Sequence, residues 1–166
     1  MNYAQLALTL QHYFNDLTMK IFKFTLLSVA FLALTSSAYP QAGKDNNGEV
    51  VKLTTKGFIE KVYDYKNNKD RFVFEGNLPC IIDFYADWCA PCKIVEPILK
   101  DLAKEYKGKI NFYKINIDNE RALASHFGIR SIPTYFFIPA KGEPQYMLGA
   151  QPREFFVEVI KELLLK

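Results

Sequence analysis

The sequence predicts an α/β fold in which helices cover both faces of a central sheet, and two stretches support this prediction. Residues 79–86 form a short apolar run rich in β-formers, the pattern of a strand buried on both faces in a parallel sheet. Directly after it, apolar side chains recur at helical spacing between Val95 and Tyr106, and Gly108 offers a stop. With 166 residues, of which 49% are hydrophobic, the chain has room for one packed domain and an extension.

The N-terminal part of the chain is typical of a targeting segment. Met19 opens a short basic stretch, an apolar run covers residues 24–34, and small residues follow, which is the layout of a secretory signal peptide. We therefore predict a signal peptide over residues 19–38. Residues 1–18 are then a mis-set translation start or an extension. An uncleaved anchor or a stray helix over residues 22–34 is the alternative, although the apolar run is too short for a comfortable membrane span.

The folded domain is predicted over residues 50–166. Residues 39–49 are polar and rich in turn-forming residues, so we interpret them as a linker. A first strand is expected over residues 50–53, and Thr54 or Thr55 is expected to cap the helix that follows it.

The first helix and the segment after it are less regular. The apolar side of the helix is predicted to hold Phe58, Ile59 and Val62. Residues 71–77 have no clear period, although the aromatic side chains there suggest a short edge segment that covers the core.

Five more elements are predicted after the central strand and helix. Alternating apolar side chains indicate a strand over residues 110–117, and a short helix is expected over residues 119–127. Residues 134–138 and 143–148 are predicted to pair as a hairpin. A last amphipathic helix extends from Phe155 to Leu164.

Cys89 and Cys92 lie in the predicted turn between the central strand and its helix. Two cysteines three apart at the first turn of a helix can close a small disulfide with little backbone rearrangement. Unpaired N–H groups and the helix dipole favour the thiolate there, and a pKa below the free value of about 8.5 is an established property of Cys-x-x-Cys motifs. We expect Cys89, at the helix end beside Trp88, to be the nucleophile and Cys92 to be the buried resolving thiol.

Asp83 is the second unusual residue, because it puts a carboxylate in the middle of a buried strand. Burial of a charge is costly unless the group is protonated or paired, so its pKa should rise towards the working range. Such a group suits the task of taking a proton from Cys92 and returning it. The period of two places Cys80 on the opposite face, where we interpret it as an inert buried thiol.

Residues 82–93 resemble the active-site signature of the thioredoxin family, with Ala90 at the position where that family usually has glycine. The resemblance extends from about Val50 to the C-terminus. Further matches follow in the order that the family has them: Pro97, residues 114–118, residues 128–134, Lys141-Gly142 and Gly149.

The resemblance implies a thioredoxin fold, in which a central mixed sheet is flanked by helices on both faces. It also implies a redox-active disulfide between Cys89 and Cys92. Lys114 resembles the family lysine that approaches the buried aspartate, here Asp83. A surface lysine beside the strand is the alternative interpretation of Lys114.

The resemblance further implies a substrate-binding surface around the cysteines. Ile132-Pro133 resembles the family's cis-proline loop, which would set the Ile132 backbone against Cys89, ready to pair with an extended substrate segment. Trp88 and Pro91 complete the expected contact surface.

The implied activity is reversible disulfide exchange, in which Cys89 attacks a substrate disulfide and Cys92 releases the reduced product. Ala90-Pro91 is close to the Gly-Pro of reducing thioredoxins, and no histidine lies between the cysteines. We therefore predict a protein-disulfide reductase. Two alternatives stay open: a disulfide oxidase or isomerase in the same compartment, and a binding module that uses the fold as a scaffold.

The expected partners follow from this activity and from the signal peptide. Substrates are predicted to be disulfide-containing proteins, and the compartment is predicted to be the periplasm, with the cytoplasm as the alternative. Because cytoplasmic thioredoxin reductase cannot reach an exported protein, electrons are expected to come through a membrane thiol carrier. A monomer is expected.

Composition argues against several other classes. The net charge of +3 is small and the lysines are scattered among acids, which gives no electrostatic footprint for nucleic acid. Three cysteines cannot form two Cys-x-x-Cys half-sites, and the two histidines, His12 and His126, lie far from the motif. No metal and no cofactor is therefore expected.

Overall fold

Five strands make up the sheet at the centre of the computed structural model, which describes residues 48–166. The predictions made for residues 1–18 and 19–38, and for residues 39–47 of the predicted linker 39–49, lie outside the described residues. The strands are β1 (Val50–Lys52), β2 (Cys80–Tyr85), β3 (Asn111–Asn116), β4 (Thr134–Ile138) and β5 (Gln145–Leu148).

The sheet is mixed, and its strand order is β1-β3-β2-β4-β5. Strand β3 runs parallel to both β1 and β2, whereas β4 runs antiparallel to both β2 and β5. Strand β2 is therefore central, which explains why its sequence is a continuous apolar run rather than an alternating one. Its carboxyl end leads directly into the turn that carries the two cysteines.

Within residues 48–166, four α-helices pack on the sheet. They are α1 (Thr55–Lys61), α2 (Ala90–Glu105), α3 (Arg121–His126) and α4 (Arg153–Val159). Helix α4 continues as a π-helical turn over Ile160–Leu164, in which the Leu165 N–H donates to the Ile160 carbonyl at 3.0 Å. None of the helices in this part of the chain has the length and apolar character that a membrane crossing requires.

Two apolar cores form, one on each face of the sheet. Helices α2 and α4 cover the first face, where Leu99 and Phe156 pack with Ile81 of the central strand. Helices α1 and α3 cover the second face through Phe58 and Leu123. Since neighbouring residues of β2 point to opposite faces, one strand contributes to both cores.

The start of α1 is fixed by two threonines with different roles. Thr54 is the N-cap, and its hydroxyl oxygen accepts a hydrogen bond from the Gly57 N–H at 3.2 Å. Thr55 is the first helical residue, and its N–H and hydroxyl both donate to Glu120 Oε2, at 2.9 and 2.6 Å. The capping prediction is thus confirmed for Thr54, while Thr55 ties α1 to the start of α3.

Residues 71–77 form no strand, so the edge segment suggested by the sequence is wrong. Phe72 and Phe74 do pack against the second core, as core cover. The backbone, however, bonds back to the end of α1, where the Glu75 N–H donates to the Val62 carbonyl at 3.0 Å. A segment held in this way adds side chains to the core without joining the sheet.

The starts of α3 and β5 also differ from the prediction. Helix α3 begins at Arg121 rather than at residue 119, because the N–H groups of Asn119 and Glu120 donate to the Asn116 carbonyl in a turn. Strand β5 begins at Gln145 rather than at residue 143, because Pro144 has no N–H for the ladder.

Candidate active site

Cys89 and Cys92 are joined by a disulfide at the N-terminus of α2. Cys89 is the N-cap residue and Cys92 lies in the first turn, so their Cα atoms are 5.4 Å apart. Pro91 also lies in this turn, where the N–H that it lacks has no intrahelical partner. The backbone N–H of Cys92 donates to Cys89 Sγ at 3.2 Å, and the helix dipole adds to its effect. Negative charge on the Cys89 sulfur is therefore favoured.

Both cysteine residues are almost fully enclosed, with exposed fractions of 3% for Cys89 and 4% for Cys92. They form a small cluster with Ala86, against which Tyr85 and Ile132 pack. The expected burial of Cys92 is present, but Cys89 is no more exposed than its partner in this disulfide form. What distinguishes Cys89 is its place at the helix end.

Trp88 projects into solvent beside Cys89, with 67% of its surface exposed. Its Nε1–H donates to Asp118 Oδ2 at 2.8 Å, and the Asp118 N–H donates to Asn116 Oδ1 at 2.9 Å. The Asn116 amide in turn donates to Asp87 Oδ2 at 3.2 Å. This series of hydrogen bonds ties the active-site turn to the end of β3, so that Trp88 is held in place although it is exposed.

The peptide bond between Ile132 and Pro133 is cis, as the resemblance implied. Ile132 packs against the cysteine cluster. The loop is held by the Thr134 hydroxyl, which donates to the Ser131 carbonyl at 2.7 Å, and by the Gly149 N–H, which donates to the Pro133 carbonyl at 2.8 Å. The two predicted parts of the site, cysteine turn and proline loop, therefore lie together.

Asp83 lies in β2 on the face covered by α2, and only 5% of it is exposed. Its Oδ1 has no hydrogen-bond partner among residues 48–166. Burial raises the pKa of Asp83 to about 7, the positive charge of Lys114 opposes this rise, and the negative charge of Glu96 adds to it. A carboxyl group with such a pKa can exchange a proton near neutrality.

Lys114 is the cross-strand neighbour of Asp83 in the β2–β3 pair. Its ammonium forms an ion pair with Glu96 Oε1 at 3.1 Å and lies 4.9 Å from the centre of the Tyr85 ring. The strand register therefore brings Lys114 beside Asp83, as the resemblance implied, while its ion pair is made with a carboxylate of α2.

A cavity of about 180 Å³ connects these charged groups with Cys92. Water has a share of liquid volume of about 30 Å³ per molecule, so the cavity has room for water. Cys92 and Asp83 both line it. The cavity is lined by Asp83, Tyr85, Ala86, Asp87, Cys92, Lys93, Glu96 and Lys114.

Two residues at this site, Glu96 and Tyr135, do not stand out in the sequence. Glu96 follows Cys92 by four residues on α2, and that spacing is a signal that it shares the helix face. Tyr135 is the antiparallel neighbour of Asp83 on β4, and its buried hydroxyl has no hydrogen-bond partner within the described residues. Burial, together with the charge of Asp83, raises the pKa of Tyr135. Only the register of β4 against β2 identifies Tyr135 as a neighbour of Asp83, and that register cannot be read from a single sequence.

Two other candidate groups lie outside the site. Cys80 is fully buried on the opposite face of the sheet, in the core covered by α1, and burial raises the pKa of its thiol. This agrees with an inert thiol. His126 lies exposed at the end of α3, with its ring centre 4.1 Å from that of Tyr65. Over residues 48–166, no group of three or more His, Cys, Asp or Glu side chains is arranged to hold a metal ion.

Reversible dithiol chemistry is what this geometry allows, and the class it defines is that of the thiol-disulfide oxidoreductases. The family model described as Thioredoxin matches residues 50–162. A thioredoxin of Borreliella burgdorferi is 44% identical over 112 residues, which are 68% of this chain and 95% of that protein. The chain belongs to the thioredoxin family, and it is a thiol-disulfide oxidoreductase.

Other relatives and solved structures agree with this assignment. An M-type chloroplastic thioredoxin of Spinacia oleracea is 34% identical over 139 residues, which are 83% of this chain and 77% of that protein. The solved structure of a mutant thioredoxin from Halobacterium salinarum NRC-1 matches with a TM-score of 0.54 and 28% sequence identity. The match covers 69% of this chain and 90% of the Halobacterium chain. Chloroplastic thioredoxin z, at 22% identity and a TM-score of 0.57, matches in fold over 69% of this chain and 93% of its own. The predicted thioredoxin fold is confirmed.

Proposed function

We propose that this protein reduces disulfide bonds in other proteins, with Cys89 as the attacking thiol and Cys92 as the resolving thiol. The observation that supports these roles best is the position of Cys89 Sγ. It caps α2 and accepts a hydrogen bond from the Cys92 N–H at 3.2 Å. A thiolate is the nucleophile in disulfide exchange, so the sulfur that is better stabilised as an anion attacks first.

The reaction has two exchange steps. In the reduced protein, the Cys89 thiolate bonds to one sulfur of the substrate disulfide, and the other substrate sulfur leaves with the electron pair and takes up a proton. The Cys92 sulfur then bonds to Cys89 Sγ, and the mixed disulfide breaks. The substrate is released with two thiols, while Cys89 and Cys92 are left as the disulfide.

Asp83 is proposed to handle the proton of Cys92. The Cys92 thiol must lose its proton before it attacks, and Asp83 is connected with it by the cavity of about 180 Å³. A pKa of about 7 allows Asp83 to accept this proton and to return it when the cysteines are reduced again. Lys114, beside it on β3, limits the rise of that pKa.

The direction of exchange is proposed from the two residues between the cysteines. They tune the potential of the pair through the stability of the Cys89 thiolate. Ala90 and Pro91 contribute no histidine or other positive charge to this stabilisation. A less stabilised thiolate makes the reduced pair a better electron donor, which favours reduction of substrates over their oxidation.

Substrate proteins are proposed to bind as extended segments at the cysteine turn. The Ile132 backbone, next to the cis-Pro133 bond, offers main-chain pairing, and exposed Trp88 with Pro91 offers apolar contact. Recognition of this kind depends on backbone and shape, so it suits many different substrate proteins.

The periplasm is proposed as the compartment, and a membrane thiol carrier as the source of electrons. Support for both comes from the signal-peptide pattern of residues 19–38. The protein is proposed to act as a monomer. Fractionation of the native host, with detection of the protein and of its processed N-terminus, tests the compartment; recovery of the unprocessed chain in the cytoplasm would overturn it.

Trapping of the mixed disulfide tests the two cysteine roles. A Cys92→Ser variant should accumulate a covalent complex with a disulfide-containing protein such as insulin, because the complex cannot be resolved. Cys89→Ser should form no complex and should lose insulin reduction driven by dithiothreitol. Cys80→Ala is the matched control, since Cys80 lies on the other face of the sheet, and it should reduce insulin at the wild-type rate.

Two results would contradict the proposal. Trapping by Cys89→Ser but not by Cys92→Ser would exchange the roles of the two thiols. Full biological activity of Cys89→Ser in the host would favour a binding module in place of an enzyme.

A further inference from the structure

We propose that Glu96 positions the charges that govern proton transfer between Cys92 and Asp83. It does so by holding the Lys114 ammonium and by presenting its own carboxylate to the shared cavity. The inference rests on the proposed dithiol reduction and adds a positioning residue to it.

The helix places Glu96 at the cavity. It follows Cys92 by four residues on α2, so the two side chains lie one above the other on the same helix face. Both line the cavity together with Asp83 and Lys114. Glu96 is half-buried, and a charge at such a position is less screened by solvent than one on the open surface.

Glu96 is also the ion-pair partner of the lysine beside Asp83. Its Oε1 accepts from Lys114 Nζ at 3.1 Å and from Lys100 Nζ at 2.9 Å. The Lys114 ammonium is thereby held between Glu96 and the ring of Tyr85, 4.9 Å from the ring centre. This arrangement directs the positive charge towards α2 rather than onto Asp83, whose Oδ1 has no hydrogen-bond partner in residues 48–166.

The other polar groups around Asp83 are either neutral or exposed to solvent. On β4, Tyr135 is neutral near pH 7, since tyrosine has an ordinary pKa of about 10 and burial raises the pKa of this hydroxyl further. Asp87 and Lys93 also line the cavity but are exposed to solvent, which screens them. The groups that face Asp83 from its own strand and its neighbours are Tyr85 on β2, Lys114 on β3, Tyr135 on β4, Asp87 in the turn, and Lys93 and Glu96 on α2.

The sign of the effect follows from these charges. Burial is the main cause of the raised pKa of Asp83, Lys114 lowers that pKa, and Glu96 raises it. Neutralising Glu96 removes a negative charge facing Asp83, and it frees the Lys114 ammonium to turn towards Asp83. Both changes favour the ionised form of Asp83 and lower its pKa. Asp83 then becomes a weaker base for the Cys92 proton.

Glu96→Gln is the test, with Asp101→Asn as the matched control. Asp101 lies on the same helix and also pairs with a lysine, Lys104 at 3.3 Å, but it is exposed and does not line the cavity. Each substitution removes one negative charge from α2. The carboxyl carbon of Asp83 is titrated by NMR in the oxidised protein labelled with ¹³C at aspartate, with Asp83→Asn to assign its signal.

Glu96→Gln should move the Asp83 titration midpoint down by about one pH unit. The acid limb of the insulin-reduction rate should move in the same direction, while Asp101→Asn should leave both at the wild-type position. Glu96→Asp keeps the negative charge, so its Asp83 titration midpoint should lie close to that of the wild type. In a Lys114→Met background the shift caused by Glu96→Gln should be smaller. One of its two causes, the freed Lys114 ammonium, is then absent.

Three results would overturn the inference. One is an unchanged Asp83 midpoint in a folded Glu96→Gln protein, and another is an equal shift in Asp101→Asn. The third is an undiminished effect in the Lys114→Met background. Because the NMR titration needs no substrate, it remains informative even if the protein proves not to reduce disulfides.

Discussion

At Asp83 the folded protein keeps a carboxyl group almost fully buried, with only 5% of the residue exposed. An ordinary aspartate has a pKa of about 3.9, whereas burial raises the pKa of Asp83 to about 7. The folded state therefore binds this proton more tightly than the unfolded state does. Protonation stabilises the fold, and this stabilisation is lost as the pH rises through the folded pKa.

We expect the free energy of unfolding of the oxidised protein to fall between about pH 4 and pH 7 and to level off above pH 7. The whole shift corresponds to at most about 4 kcal/mol. Asp83→Asn should flatten this part of the profile and raise stability at pH 8, because it removes a buried charge. Urea denaturation of both proteins from pH 4 to pH 8 measures the difference. Parallel profiles for the two proteins would show that Asp83 is not the group responsible.

The site residues differ in how far a sequence reveals them. The cysteines and Asp83 stand out because their types are unusual in their context: two thiols at a helix start and a charge in an apolar strand. The pairing of Lys114 with Glu96 does not stand out, because it depends on the register of β3 against β2 and on the rotation of α2. The same holds for Tyr135, which only the β2–β4 register brings beside Asp83.

At the scale of elements, β2 and α2 are the best predicted. A strand buried on both faces and a helix with one apolar side each leave a strong period, which tertiary contacts reinforce. Residues 71–77 are predicted wrongly, because their aromatic side chains have the composition of a strand while their backbone bonds to the end of α1. Side-chain type thus shows that Phe72 and Phe74 pack against the core, but not how the backbone of this segment is hydrogen-bonded.

The N-cap of α1 gives a prediction at this scale. Thr54→Ala removes the acceptor for the Gly57 N–H and should lower the free energy of unfolding by about 1 kcal/mol. Thr54→Ser keeps the hydroxyl and is the matched control, with stability close to that of the wild type. Chemical denaturation at one pH compares the three proteins. Equal losses in both variants would mean that the threonine methyl group, not the cap, is what matters there.

At the scale of the whole molecule, the fold brings together parts of the chain that are far apart in sequence. Four segments meet around the carboxyl end of the central strand: the end of β2 itself, the N-terminus of α2, the middle of β3 and the loop before β4. This convergence follows from the strand order, in which β2 lies between β3 and β4. The family resemblance predicts it, whereas local periods alone predict only the separate elements.

The central claim is that Cys89 and Cys92 form a reducing dithiol. The equilibrium reduction potential of this pair tests it most directly, measured in dithiothreitol or glutathione redox buffers with thiol trapping. Reducing thioredoxins have an established potential of about −270 mV, and we expect a value close to it. A potential of about −180 or −120 mV, as in disulfide isomerases or strong oxidases, would contradict the claim and assign the protein to disulfide formation or exchange.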